Sequence, residues 1–188
     1  MRILGIDPGL ASTGVGVIER RNETWRLLAA RDVRTDAGEP LPRRLQRIHD
    51  LVAACLAEFV PDAVAIESIF TAKNVRSAIL MAHGRGVAVL AASSANIPVF
   101  EYTPAEIKSA IVGKGRASKS QVMHMIGVLL ALRQPVANDH QADALACALA
   151  HAFRTRLGDK LSVGDDASET PSEAKLLLAQ VRRGRRRR

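Results

Sequence analysis

Aromatic side chains are scarce in this chain. Phe, Tyr and Trp together make up 3% of its 188 residues. Leu, Ile, Val and Ala must therefore fill the core, and at 47% apolar content there are enough of them. Cysteine is scarcer still, with only Cys55 and Cys147. Both sit in apolar helical patterns without metal-ligand spacing, so both are expected as small buried hydrophobes. That excludes a disulfide scaffold and a thiolate metal site, and it is compatible with a reducing cytoplasm. Long hydrophobic runs are also missing, and no stretch reaches the roughly 20 apolar residues of a membrane span. The N-terminal run at 3–6 stops at Asp7, too short for a signal peptide. The expected location is cytoplasmic.

What is present is positive charge. The formal net charge is +8 and the pI is about 10.3. A basic balance points to an anionic partner, nucleic acid first. Six of the charges are arginines within residues 182–188, and removing them leaves +2 on residues 1–181. DNA recognition must then come from a shaped face. The arginine run is either a weakly sticky, solubilising end or a DNA contact.

Residues 2–7 read as a short buried strand ending at an acid, closed by the turn residues Pro8 and Gly9. Residues 13–20 alternate, with Gly14, Gly16 and Ile18 on one face, and the glycines imply another element approaching closely. Residues 25–34 supply a third strand, for an antiparallel meander. Helical spacing then runs from Pro42 to Phe59 and ends at Pro61. A fourth strand spans 63–67, a long helix 74–95 and a fifth strand 97–102. Thr103-Pro-Ala-Glu106 is a helix-start signal with a capping box, opening a helix over 103–112. Helices over 118–132 and 139–154 follow. Strands first, then helix–strand alternation, predicts an α/β fold: a mixed five-stranded sheet flanked by helices. The domain spans residues 1–155. Residues 156–188 are polar and read as a flexible tail ending in the arginine run, with a marginal helix over 172–181.

Three acids lie where this fold can gather them. Asp7 ends the first strand, Glu67 ends the fourth, and Asp143 interrupts the first turns of an otherwise apolar helix. Each alone has a plain explanation: a turn cap, a strand-end surface acid, a helix N-terminal acid. Together they suggest a site, because ionised carboxylates are costly to bury unless paired or metal-bound. Carboxylates without thiolates favour hard cations, Mg2+ or Mn2+. Two such ions about 4 Å apart can hold the attacking and leaving oxygens of a phosphodiester displacement. Asp7, at the end of the middle strand, is the natural bridge. A fourth ligand is offered by His140 or by Asp139, both of which share a helix face with Asp143.

Several segments, taken in order, carry a resemblance. They are Leu-Gly-Ile-Asp-Pro-Gly at 4–9, Ala-Ile-Glu at 65–67, Phe-Thr-Ala-Lys-Asn at 70–74, Gly-Arg-Gly-Val-Ala at 84–88 and Ala-Asp-Ala-Leu-Ala at 142–146. Val-Phe-Glu-Tyr at 99–102 and Lys-Ser-Gln-Val at 119–122 fit too. Over residues 1 to about 155 the chain resembles the RuvC Holliday-junction resolvases. The resemblance implies a ribonuclease-H-like fold and a homodimer that cuts four-way DNA junctions by paired symmetric nicks, leaving 5′-phosphate and 3′-hydroxyl ends. It implies a metal cluster of Asp7, Glu67 and Asp143, with two ions per site. The fourth ligand in many members is an aspartate; here that position is His140, and Asp139 is one step out of register. Imidazole suits manganese better than magnesium. Phe70 resembles an aromatic that pushes against junction bases, or else is a core phenylalanine. Lys108 and Lys119 match DNA-facing positions, and Lys73, Arg76, Lys114 and Arg116 are candidate phosphate contacts. The junction branch-migration helicase complex is the implied protein partner.

Two other readings compete. Gly-Ile-Asp-Pro-Gly followed by Ser-Thr-Gly also resembles the first phosphate loop of actin and sugar-kinase ATPases, but those need two such domains. An idle junction-binding scaffold would not need the intact carboxylate set.

Overall fold

The computed structural model describes residues 1–68 and 75–162, apart from the side chains of Arg76, Ser77 and 156–162. Met1–Thr155 forms one compact unit, and Arg156–Arg188 forms a second. Of the second unit only the helical backbone to Ser162 is described; the expected tail and the segment 172–181 lie outside the described residues.

Five strands make one sheet: β1 (Arg2–Asp7), β2 (Ser12–Arg21), β3 (Thr24–Arg34), β4 (Ala63–Glu67) and β5 (Val99–Tyr102). Their order is β3-β2-β1-β4-β5, with β1 at the centre. The meander β1–β2–β3 is antiparallel, while β4 and β5 run parallel to β1. The helices are α1 (Leu41–Phe59), α2 (Val75–Ser94), α3 (Pro104–Val112), α4 (Lys119–Leu129) and α5 (Asp139–Ser162). Among the described residues no helix is long and apolar enough to cross a membrane.

Alternation along the strands divides the core into two layers. Leu4, Ile6, Val15, Val17, Val64 and Ile66 face α1 and α2, with Cys55 buried among them. Ile3, Ile18, Ala65 and Tyr102 face the other way, onto α3, α4 and α5. The β2–β3 register shifts between Val17 and Ile18, leaving Leu28 of β3 without an opposite residue. α5 is apolar all round because it is surrounded: from Gln141 to Ala152 every residue except Asp143 is buried.

The helix ends follow their sequence signals. Thr103 and Ser118 each complete a capping box, with Glu106 and Gln121. α1 stops at Val60, in the left-handed region before Pro61. The expected boundaries differ from the structure by up to three residues, except at the end of α5, which runs on to Ser162. Helix ends fray, so their limits are the least legible part of a pattern.

The glycines of β1 and β2 let α5 lie directly on the sheet. A Cβ on Gly5 would stand 2.0 Å from the carbonyl oxygen of Ala144, and one on Gly14 would stand 2.1 Å from that of His140. Backbone cannot yield as a side-chain tip does. Gly14→Ala is therefore expected to cost about 1–3 kcal/mol of stability and to displace the start of α5. Urea denaturation measures this; a loss near zero would mean that α5 can retreat freely.

Candidate active site

β1 and β4 pair in parallel with Ile6 opposite Ile66, so Asp7 and Glu67 follow side by side at the carboxyl ends of adjacent strands. Crevices outside the carboxyl ends of parallel strands are the usual ligand sites of open α/β sheets. Both acids project on the α5 side, as Gly5 and Ala65 do two residues earlier. The loop after Asp7 is pinned from below. Thr13 Oγ1 donates to the Gly9 carbonyl at 2.6 Å, Thr35 Oγ1 donates to the Leu10 carbonyl at 2.6 Å, and the buried Arg44 donates to Thr35 at 2.8 Å.

α5 brings the remaining groups. Its first turn is anchored to β3 through Asp32, whose Oδ1 accepts from Asn138 Nδ2 at 2.8 Å and from Gln141 Nε2 at 2.7 Å. Asn138 Oδ1 in turn accepts the Gln141 amide at 3.0 Å. His140 Nδ1 then reaches Asp7 Oδ2 at 2.7 Å. An ionised carboxylate only accepts, so Nδ1 carries the hydrogen, and a neutral ring keeps its lone pair on Nε2. Asp143, one turn on, is the single polar opening in the buried run of α5. Asp7 is not capping the Pro8–Gly9 turn by any hydrogen bond found here, and Glu67 is half-buried rather than a surface acid.

The electrostatics are those of crowded like charges. Burial first, then the charges of Asp7 and Asp143, push the Glu67 carboxyl up to about 7. Burial also raises Asp7, with Asp143 adding to the rise against the lowering effect of His140. Lys108 and Lys119 oppose these repulsions at Glu67. With Glu67 and Asp143 they line a cleft of about 240 Å³, closed by Pro104, Ile107, Val122 and Ala146. A larger groove of about 510 Å³ along α4 and residues 132–136 holds no carboxylate and lies apart from this chemistry.

Lys119 donates to Asp143 and also pairs with Asp139, each at 3.1 Å. As they stand, no three His, Cys, Asp or Glu side chains among the described residues are gathered to hold one ion. Asp143 is engaged by the Lys119 ammonium and Asp7 by the His140 imidazole. Asp139 pairs with Lys119, and its side chain is 63% exposed.

Lys114 and Arg116 are exposed on the loop between α3 and α4, next to Lys119. Phe70 and Lys73 lie outside the described residues, as does the side chain of Arg76 at the start of α2. Two contributors escaped the sequence reading. Asp32 lies 106 residues from Asn138, and nothing local in β3 marks it. The bridging by Lys119 needs α4 and α5 side by side.

The family model for crossover junction endodeoxyribonuclease RuvC matches residues 3–151. The chain belongs to the RuvC family. A RuvC relative from Syntrophotalea carbinolica is 48% identical over 166 residues, covering 86% of this chain and all of the relative. One from Salinispora arenicola is 44% identical, covering 88% and 95%. The Thermus thermophilus RuvC structure solved in complex with a Holliday junction substrate superposes with a TM-score of 0.81 at 38% identity, covering 84% of this chain and 96% of that one. The mixed five-stranded sheet with flanking helices is the ribonuclease-H-like fold of RuvC. Of the ordered motifs, those bearing Asp7 and Glu67 lie at strand ends and the one bearing Asp143 lies on α5, while 70–74 lies outside the described residues.

The raised Glu67 has a consequence for stability. The folded state holds its proton between about pH 4.5 and 7, where the unfolded chain has lost it. Glu67 therefore destabilises the metal-free fold increasingly as pH rises through that window, and fully above it. Glu67→Gln is expected to melt about 2–4 °C higher than the parent at pH 8, after allowance for solvent screening, with no gain at pH 4.5. Metal-free thermal melts at the two pH values check this; equal gains at both would remove the charge explanation.

Proposed function

We propose that this protein is a metal-dependent endonuclease that resolves four-way DNA junctions in recombination and repair, by paired symmetric nicks. One observation carries the reading: Asp7 and Glu67 end adjacent strands, the charge of Asp143 on α5 acts on both, and so little compensates that Glu67 is driven to about 7. An oxygen-donor set with unrelieved repulsion is what a hard divalent cation satisfies. Membership of the RuvC family, with a relative solved on junction DNA, supplies the substrate.

In this reading Asp7, Glu67, His140 and Asp143 hold two Mg2+ or Mn2+ ions. Held there, such ions would supply the charge that activates a water and stabilises the leaving 3′ oxygen, and the products would carry 5′-phosphate and 3′-hydroxyl ends. Asp7 would be a shared ligand, and its hydrogen bond with Nδ1 holds the His140 ring and leaves Nε2 as the nitrogen that would ligate a metal. Ile107, Val122 and Ala146 make one wall of the cleft apolar, which strengthens the field of the charged groups. Lys108 and Lys119 meet the scissile phosphate, and Lys114 and Arg116 meet the backbone beyond it.

The protein acts as a homodimer. Val75, Ile79, Gly86 and Leu90 form an exposed small and apolar stripe on α2. A two-fold dimer matches the symmetry of a junction and presents two sites to opposed strands. A branch-migration helicase complex is the partner that would deliver junctions to it. Its place of action is the cytoplasm.

Cleavage of a synthetic four-way junction beside a linear duplex, with Mg2+ or Mn2+, tests the reading. Asp7→Asn is expected to lose cleavage by at least about a hundredfold while binding the junction within a few-fold of the parent. Parent-like cutting by this variant would sink the site. His140→Ala is expected to lose most activity and His140→Asp to keep it. Ile79→Glu is expected to sediment as a monomer and to lose paired nicking; an unchanged dimer would place the interface elsewhere.

A further inference from the structure

The pairing of Lys119 with Asp139 is a feature that the proposed chemistry does not use. The Lys119 ammonium sits between two carboxylates four residues apart on α5, 3.1 Å from Asp139 and 3.1 Å from Asp143. Burial works against its charge, yet the hydrogen bonds to Asp139 and Asp143 outweigh that and raise its pKa. The stem is well placed. Lys119 is the first residue of α4, directly after the Ser118 cap, and the Ser118–Gln121 capping box holds that turn.

The two carboxylates are not equivalent. Asp143 is felt electrostatically by Asp7 and Glu67, so it belongs to the cluster. Asp139 contributes to the shift of neither, and its side chain is the more exposed of the pair, 63% against 36%. Resting on the metal-site reading above, we infer that Lys119 is an exchangeable counter-ion. It neutralises Asp143 while the site is empty of metal, and it yields that carboxylate when a divalent ion is bound. Asp139 is the positioning residue. It retains the displaced ammonium at the rim of the cleft, so that Lys119 stays within reach of an incoming phosphate. Without Asp139 the ammonium would have Asp143 alone and would compete harder with metal. Asp139 thus acts through Lys119 and is not a ligand.

Binding of Mn2+ to the full-length protein without DNA, followed by the electron paramagnetic resonance of free Mn2+, tests this without reference to activity. The variants are Lys119→Met, Asp139→Asn and the double substitution, all at exposed positions. Exposed ion pairs are worth up to about 1 kcal/mol, so the expected effects are modest: Lys119→Met tightens Mn2+ by about threefold, and Asp139→Asn weakens it by about threefold. In the Lys119→Met background Asp139→Asn should change the affinity by less than about 1.5-fold, because its partner is gone. Asp139→Glu should restore parent affinity. Equal weakening by Asp139→Asn in both backgrounds would show a direct ligand and overturn the inference, as would an unchanged affinity in Lys119→Met. Failure of the metal-site reading looks different: the parent and Asp7→Asn would then bind Mn2+ equally weakly, and the counter-ion role would fall with it.

Discussion

The rest of the site depends on one contact, the backbone of α5 lying against the bare backbone of β1 and β2. The carbonyls of Ala144 and His140 occupy the space that side chains at Gly5 and Gly14 would need. This close approach lets a helix residue such as His140 hydrogen-bond a strand-end carboxylate. With ordinary side chains between them, the helix would ride higher and its short polar groups would not reach. The near-continuous burial of α5 between Gln141 and Ala152 holds the contact shut, and the Asp32–Asn138–Gln141 bonds set its register. Stability and the geometry of this site are therefore the same packing problem in this region.

Given that geometry, the carboxylates cannot relax apart. Asp7 and Glu67 are fixed by strand pairing, and Asp143 is fixed on a buried helix. Their repulsion shows as the raised Glu67 and Asp7. Strain of this kind is common where function needs charge in a confined place. It is relieved only in part by the surrounding cations, because Lys108 and Lys119 come from helices whose first duty is to wall the cleft.

Much of this was legible in the residues because it is local. The capping box at Thr103, the end of α1 before Pro61 and the glycine face of β2 each express a short-range rule, and each is found in the fold. The two cysteines are buried as their apolar surroundings implied. Pairings across the chain were not legible. The i,i+3 and i,i+4 relations on α5 left His140 and Asp139 equivalent, since both share a face with Asp143. The fold separates them: His140 turns to Asp7, and Asp139 turns to Lys119.

The sequence by itself determined the order of the elements, the glycine face of β2, the three acids and, through its ordered motifs, membership of the RuvC family. These follow from periodicity, caps and residue types, which act over a few neighbours. Only the tertiary structure decided which groups meet. Asp7 and His140 are 133 residues apart, Asp32 and Gln141 109, and Lys119 and Asp143 24. Such meetings are set by how closely α5 can approach the sheet, and that distance is a property of packed backbones which no local pattern encodes.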